Sequence, residues 1–125
     1  MAECPFCDRI ERGDYETGFY DYGSLIAVSF QPRRPVTQGH RLYLPAEHVT
    51  DATIDPALTG RVMAEASHHT RNFYQVVSFN LITSVGSAAT QTVRHLHVHA
   101  VPRREGDGLH LPWTGQRAAE AVTAK

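Results

Sequence analysis

Cysteine is scarce in this chain: there are two in 125 residues, Cys4 and Cys7. One pair cannot staple a fold of this length, so a disulfide framework is excluded. An excess of either charge is missing too. Twelve Lys and Arg against thirteen Asp and Glu leave a formal net charge of −1. That balance gives no general electrostatic grip on DNA, RNA or an anionic membrane. No apolar run approaches the ~18 residues that span a bilayer, so no membrane partner is expected. The opening MAECPFCDRIERGD carries acids where a secretory peptide has a basic end and an apolar stretch. A cytoplasmic setting, where thiols stay reduced, is therefore expected. What is present is an ordinary globular composition, 42% hydrophobic and 20% charged, at a length that fits one domain over 1–125. Such a chain buries roughly two-thirds of the surface it exposes when unfolded, enough for a core without staples.

The pattern along the chain reads as strands around one good helix. Phe19–Tyr22 and Leu25–Phe30 are β-rich runs separated by Gly23-Ser24, a hairpin signal. Pro32 and Pro35 make the stretch from Gln31 to Pro35 irregular. His40 to Leu44 alternates as a strand that Pro45 stops, and Asp55-Pro56 is an N-cap followed by a first-turn proline. Leu58, Val62, Ala66, His69 and Phe73 then recur on one helical face. Phe79–Val85 reads as another strand, followed by a turn through Gly86. Thr114–Lys125 is small, polar and alanine-rich, the composition of a loose C-terminal tail. The order predicts an α+β fold with a mainly antiparallel sheet.

Histidine is abundant where cysteine is not: eight residues, three of them within His95-Leu96-His97-Val98-His99. Strict alternation to Val101 predicts one strand that projects all three imidazoles from one face, with Leu96, Val98 and Ala100 turned onto the helix. A row of imidazoles must be hydrogen-bonded or solvated, so it is costly as plain structure. Two chemical readings remain at this point. The row holds a catalytic metal on His95, His97 and His99, or one imidazole is a nucleophile or base that its neighbours orient. Cys4 and Cys7 are half a metal site or a redox dithiol. The extreme N-terminal position, outside any βαβ unit, argues against the dithiol.

Gly39-His40, Pro45-x-x-His48 and Gln91-Thr92-Val93-x-His95-x-His97-x-His99-Ala100-Val101 together resemble the histidine triad (HIT) superfamily. The likeness runs from Cys4 to about Pro102, and every position of the His-φ-His-φ-His-φ-φ signature (φ hydrophobic) is matched. It implies a five-stranded, mainly antiparallel sheet with one long helix, the sheet continued across a homodimer. It makes His97 the nucleophile that attacks a nucleotide's α-phosphate and becomes transiently nucleotidylated. His99 would contact the phosphate and the leaving group, and His40 would support the site from the adjacent strand. Thr92 would help protonate the leaving group, and Gln91 would lie near the bridging atom. In a subset of the family Cys4, Cys7, His48 and His95 would hold a structural zinc. Trp113 stands where some members send a tryptophan into the partner subunit's active site.

Three positions depart from the family pattern: Pro32 replaces an acidic residue that holds the ribose, Ser84 replaces an asparagine in the substrate-binding set, and Thr90 replaces a glycine. Nucleophile and metal set are intact. The implied activity is hydrolysis or transfer at the α-phosphate of a nucleotide, first of a nucleoside phosphoramidate such as an AMP–amine. A dinucleoside polyphosphate is the alternative substrate, and a non-catalytic nucleotide-binding module the alternative role. Arg33, Arg34, Arg103 and Arg104 could extend a polyphosphate subsite, although exposed arginines are ordinarily just solvated.

Overall fold

Asp55 and Pro56 start the main helix as their residue types dictate: the Asp55 carboxylate accepts from the Leu58 amide at 3.1 Å, and Pro56 takes the first helical position. The structure, a computed structural model, describes residues 3–114. The expected tail, Thr114–Lys125, lies outside them except for Thr114.

Helix α2 runs Pro56–His68 and is followed by a π-helical turn, His69–Phe73. In that turn the Tyr74 amide donates to the His69 carbonyl, five residues back, at 3.1 Å. The extra residue rotates Phe73 off the buried face, so Val62, Ala66 and His69 are buried while Phe73 is 68% exposed. The sequence pattern had placed Phe73 with them, because it assumed 3.6 residues per turn throughout.

Five strands, β1 (Thr17–Asp21), β2 (Ser24–Phe30), β3 (Arg41–Pro45), β4 (Phe79–Ile82) and β5 (Val98–Pro102), form one antiparallel sheet in the order β1-β2-β3-β5-β4. The expected hairpin exists, but its turn is Tyr22-Gly23, both at positive φ (50° and 83°), between the paired Asp21 and Ser24. Two positive-φ residues give the turn whose twist matches the strands, which is why Tyr22 leaves the strand it was assigned to.

The expected strands at 79–85 and 95–101 are both shorter than their patterns. The segment before Val98 turns away from the sheet: Leu96 donates to the Val49 carbonyl at 2.8 Å, and the His97 carbonyl accepts from the Thr83 hydroxyl at 2.8 Å. β5 therefore starts at Val98, and β4 loses its partner after the Ile82–His99 pair. Of the three row histidines only His99 is in a strand.

α2 covers one face of the sheet, where Tyr43, Val98 and Ala100 pack on Val62 and Ala66. At roughly 1.5–3 kcal/mol for each large apolar side chain fully removed from water, this layer is the main source of stability. The other face carries Val28, Phe30, Leu42 and Leu44 beneath Phe6 and Ile10. These two belong to α1, Pro5–Glu11, a helix the sequence reading did not expect. Seven residues are too few to hold a helix alone. α1 is capped by the Cys4 sulfur, which accepts from the Cys7 amide at 3.3 Å, and is anchored by what Cys4 and Cys7 meet.

Candidate active site and metal centre

Each row histidine makes a different hydrogen bond, and those bonds assign its ring protons. His95 Nε2 donates to the Pro45 carbonyl at 2.9 Å, so its Nδ1 is a free acceptor. That Nδ1 lies 3.5 Å from Cys4 Sγ, 3.6 Å from Cys7 Sγ and 3.2 Å from His48 Nδ1. Cys7 Sγ is 3.3 Å from His48 Nδ1. A tetrahedron with metal–sulfur bonds of about 2.3 Å and metal–nitrogen bonds of about 2.0–2.1 Å has S···N edges near 3.5 Å and an N···N edge near 3.3 Å. The two thiols and two imidazoles have those edges, and the four ligand atoms all lie within 4.8 Å of one another. The donor set thus fits a metal ion. Burial, then Cys4, then the Asp8 and Glu11 carboxylates push the Cys7 thiol up to about 11, so a cation among these atoms would relieve a real cost. Among the described residues this is the one such cluster, and His97 and His99 are not part of it. A metal on His95, His97 and His99 does not fit, because the free nitrogen of His95 faces Cys4, Cys7 and His48 while His97 and His99 line a separate cavity.

His97 Nδ1 donates to the His95 carbonyl at 2.7 Å, so its Nε2 presents a lone pair. The Val36 amide donates to His40 Nδ1 at 3.1 Å, which puts the His40 proton on Nε2. His40 Nε2 then donates to His99 Nδ1 at 3.0 Å, leaving His99 with its proton on Nε2. One backbone amide thus sets two tautomers in series. The His99 ring lies 5.2 Å from those of both His40 and His97. Burial lowers the pKa of His40 and His97, and burial with the neighbouring imidazoles takes His99 down to about 4. All three rings are therefore neutral near pH 7. The result is a nucleophilic nitrogen beside a ring that donates.

Both rings line a cavity of about 340 Å³ between α1 and the sheet. Its walls are Phe6, Phe30, Pro32 and Leu42, with Arg9, Arg33 and Thr92 at the edges. Phe6 stands edge-on to His97 at 5.1 Å and to His95 at 6.0 Å, so one side chain packs on both a candidate metal ligand and the candidate nucleophile. Sequence reasoning missed Phe6 and Arg9. Cys4-Pro5, a possible cap and first-turn proline, was the available signal for the helix that carries them.

Three expected substrate contacts are placed elsewhere. The buried Gln91 amide accepts from Gly86 N at 2.9 Å and donates to the Thr50 and Val93 carbonyls at 2.8 and 3.0 Å. It braces the 86–91 loop and does not line the cavity. Ser84 is half-buried in the loop after β4 and Trp113 is 50% exposed, and neither lines the cavity. The amides of Gly86, Ala89 and Thr90 donate within this loop. Half-buried Arg103 is held by Asp107 and Asn80, and exposed Arg104 by Thr37 and Gln38. No helix among the described residues is long and apolar enough to cross a membrane.

A family model described as HIT domain matches residues 21–106. An uncharacterised HIT-like protein of Mycobacterium tuberculosis is 33% identical over 115 residues, covering 86% of this chain and 76% of its own. An adenylylsulfatase of Arabidopsis thaliana is 28% identical over 111 residues, covering 86% of this chain and 55% of its own. Among solved structures, a zinc-bound histidine triad family protein of Mycobacterium smegmatis superposes with a TM-score of 0.66 at 32% identity, over 98% of both chains.

Proposed function

Because the chain belongs to the HIT domain family, we propose that it is a nucleotide hydrolase that works through a nucleotidyl-histidine intermediate on His97. The proposed substrate is a nucleoside phosphoramidate of the AMP–amine kind. The observation that carries this reading is the 2.7 Å bond from His97 Nδ1 to the His95 carbonyl, in a ring that lines the cavity. That bond holds the imidazole in one orientation and one tautomer, and an imidazole neutral at pH 7 needs no further activation to attack phosphorus. The adenylylsulfatase among the relatives supports an attack on a nucleotide's α-phosphorus.

In the first step His97 Nε2 bonds to the α-phosphorus as the bond from phosphorus to the amine breaks. The amine leaves with a proton from the Thr92 hydroxyl at the cavity edge. His99 Nε2–H donates to a phosphate oxygen, and its aim depends on His40 and the Val36 amide. Water then attacks phosphorus and gives up a proton that restores the Thr92 hydroxyl, the phosphorus–His97 bond breaks, and nucleoside monophosphate is released. Zinc is the metal we assign to Cys4, Cys7, His48 and His95, since two thiolates and two imidazoles make a closed structural site. When bound it supplies no chemistry to the reaction and ties α1 to the sheet. Its thiolate ligands fit a reducing compartment such as the cytoplasm.

We also assign a homodimer, with the sheet continued past β4. β4 is an edge strand, and Phe73, Ile82 and Val85 nearby are 68%, 39% and 42% exposed. Sedimentation at the mass of one chain at micromolar concentration would remove the dimer from the reading.

The test of the reaction is an AMP-amide assay quenched in alkaline denaturant, where a phosphorus–nitrogen bond survives. A phosphorus–nitrogen adduct on His97 is expected, and none in His97→Gly. Undiminished turnover by folded His97→Gly would overturn the proposal. So would turnover that a chelator stops while the protein stays folded.

A further inference from the structure

Few contacts hold α1 to the rest of the molecule. None of its residues is fully buried, and Phe6 and Ile10 pack on the sheet only as partly buried side chains. Beyond Asp14, the hydrogen-bond contacts of α1 and its cap among the described residues are those of Cys4 and Cys7 with His48 and His95, at 3.3 to 3.6 Å. So short a helix does not persist on its own. Where α1 sits is therefore decided by this packing and by the two sulfurs.

The same helix is one wall of the cavity that His97 and His99 face. Pro5, Phe6 and Arg9 line it from α1, and Phe30 and Leu42 line it from the sheet. Pro5 and Phe6 are the two residues between the cysteines, so the piece of chain that joins two candidate metal ligands is itself cavity wall. Phe6 makes the contact across the cavity, with its ring 5.1 Å from that of His97 and 5.5 Å from that of Phe30. A nucleotide that seats its phosphate at the two imidazoles enters the space between α1 and the sheet, whichever way it lies. It meets both walls only where α1 is docked.

Two ligands that each favour the docked helix must favour each other. Resting on the hydrolase reading and the zinc assignment above, we propose that zinc and nucleotide bind cooperatively through Phe6: the metal docks α1, and the docked Phe6 completes the nucleotide cavity. Phe6 is then a positioning residue that joins the two sites. The coupling acts on affinity and leaves the reaction in place. His97 keeps its bond to the His95 carbonyl, and His95 keeps its bond to the Pro45 carbonyl, neither of which involves a thiol.

The test measures this linkage from both sides on the full chain. Calorimetry gives the Kd of AMP for zinc-loaded and chelator-stripped protein, and competition with a chromogenic chelator gives the Kd of zinc with and without saturating AMP. Removing zinc is expected to weaken AMP by at least about fivefold, and AMP to tighten zinc by the same factor, as linkage requires. KM for an AMP-amide should rise in parallel on zinc removal while kcat stays within about threefold. Phe6→Ala should keep the zinc content of wild type and lower the coupling below about twofold. Phe6→Leu, which keeps an apolar side chain at the contact, should retain part of it. Equal AMP affinity with and without zinc overturns the proposal, and the wild-type measurements decide this even if no Phe6 variant folds. Coupling that survives intact in Phe6→Ala also overturns it, because it would then run through His95, the ligand whose carbonyl holds His97. AMP that binds neither form overturns both readings. Failure of the hydrolase reading alone looks different: no amidate is cleaved, yet AMP and zinc still strengthen each other.

Discussion

Two imidazoles in this chain are buried to the same degree, His69 beside α2 at 8% exposure and His97 beside α1 at 9%. Burial lowers the pKa of both. Their surroundings differ. Phe19, Tyr43, Phe73 and Tyr74 pack around His69 with ring centroids 4.8 to 5.7 Å away, and its Nδ1 meets the Tyr43 hydroxyl at 2.8 Å. His97 has its Nδ1 on a carbonyl and its ring against a cavity. Neither burial nor a depressed pKa marks a histidine as chemical. What distinguishes His97 is that the bond fixing one nitrogen leaves the other facing space that a substrate can enter.

The largest effect that would break this comparison is on catalysis. His97→Ala should lower kcat for an AMP-amide by at least about 10³-fold with the fold retained by circular dichroism. His69→Leu should leave kcat within about threefold and act on stability alone, since it opens no path to substrate. Equal losses in the two variants would erase the distinction.

Second is the proposed metal centre, which would anchor the α1 side as aromatic packing anchors the α2 side. The Cys4→Ser/Cys7→Ser double variant should lose the metal, lower Tm by about 10 °C and speed hydrogen exchange through 5–11. Full metal content in that variant would contradict the ligand set. Third is tautomer control: His40→Ala should lower kcat/KM by about 10- to 100-fold and leave the metal content unchanged.

Fourth is pH. His40, His69 and His99 have folded pKa values below the free value of 6.5, His99 near 4. Between those values the unfolded chain binds more protons, so stability is full above pH 6.5 and is lost as pH falls toward 4. Denaturant melts should show that loss, and His69→Leu should show a shallower one than wild type. The smallest effect is at Thr90, a β-branched residue at φ 71° in the loop that Gln91 braces. Thr90→Gly should raise stability by up to about 1 kcal/mol in the same melts, by removing left-handed strain.

The helix at 56 was legible because Asp55 and Pro56 act within one turn, and the first hairpin because its turn is a local event, although it sits one residue before the Gly23-Ser24 read from the sequence. The metal ligands were legible as residue types through the family pattern. Their meeting was legible through that pattern alone, because 91 residues of chain separate Cys4 from His95 and no local periodicity joins them. The length of β5 was misread for a related reason: alternation describes which side a residue faces, while pairing needs a partner, and the Val49 carbonyl and the Thr83 hydroxyl engage the Leu96–His97 backbone elsewhere. Gln91 was assigned to substrate by position, whereas its amide is saturated by three backbone groups that no local pattern reveals.

By itself the sequence determined the α+β class, the α2 start, the apolar layer beneath it and the kinds of side chain available for chemistry. Each follows from interactions within a few residues or from simple periodicity. Only the tertiary structure decided which nitrogen of each imidazole is free, that α1 exists, and that two arginines share a cavity with the rings of His97 and His99. Ring tautomers and cavity walls are settled by groups brought together from distant strands, and one dimension of chain order does not carry that information.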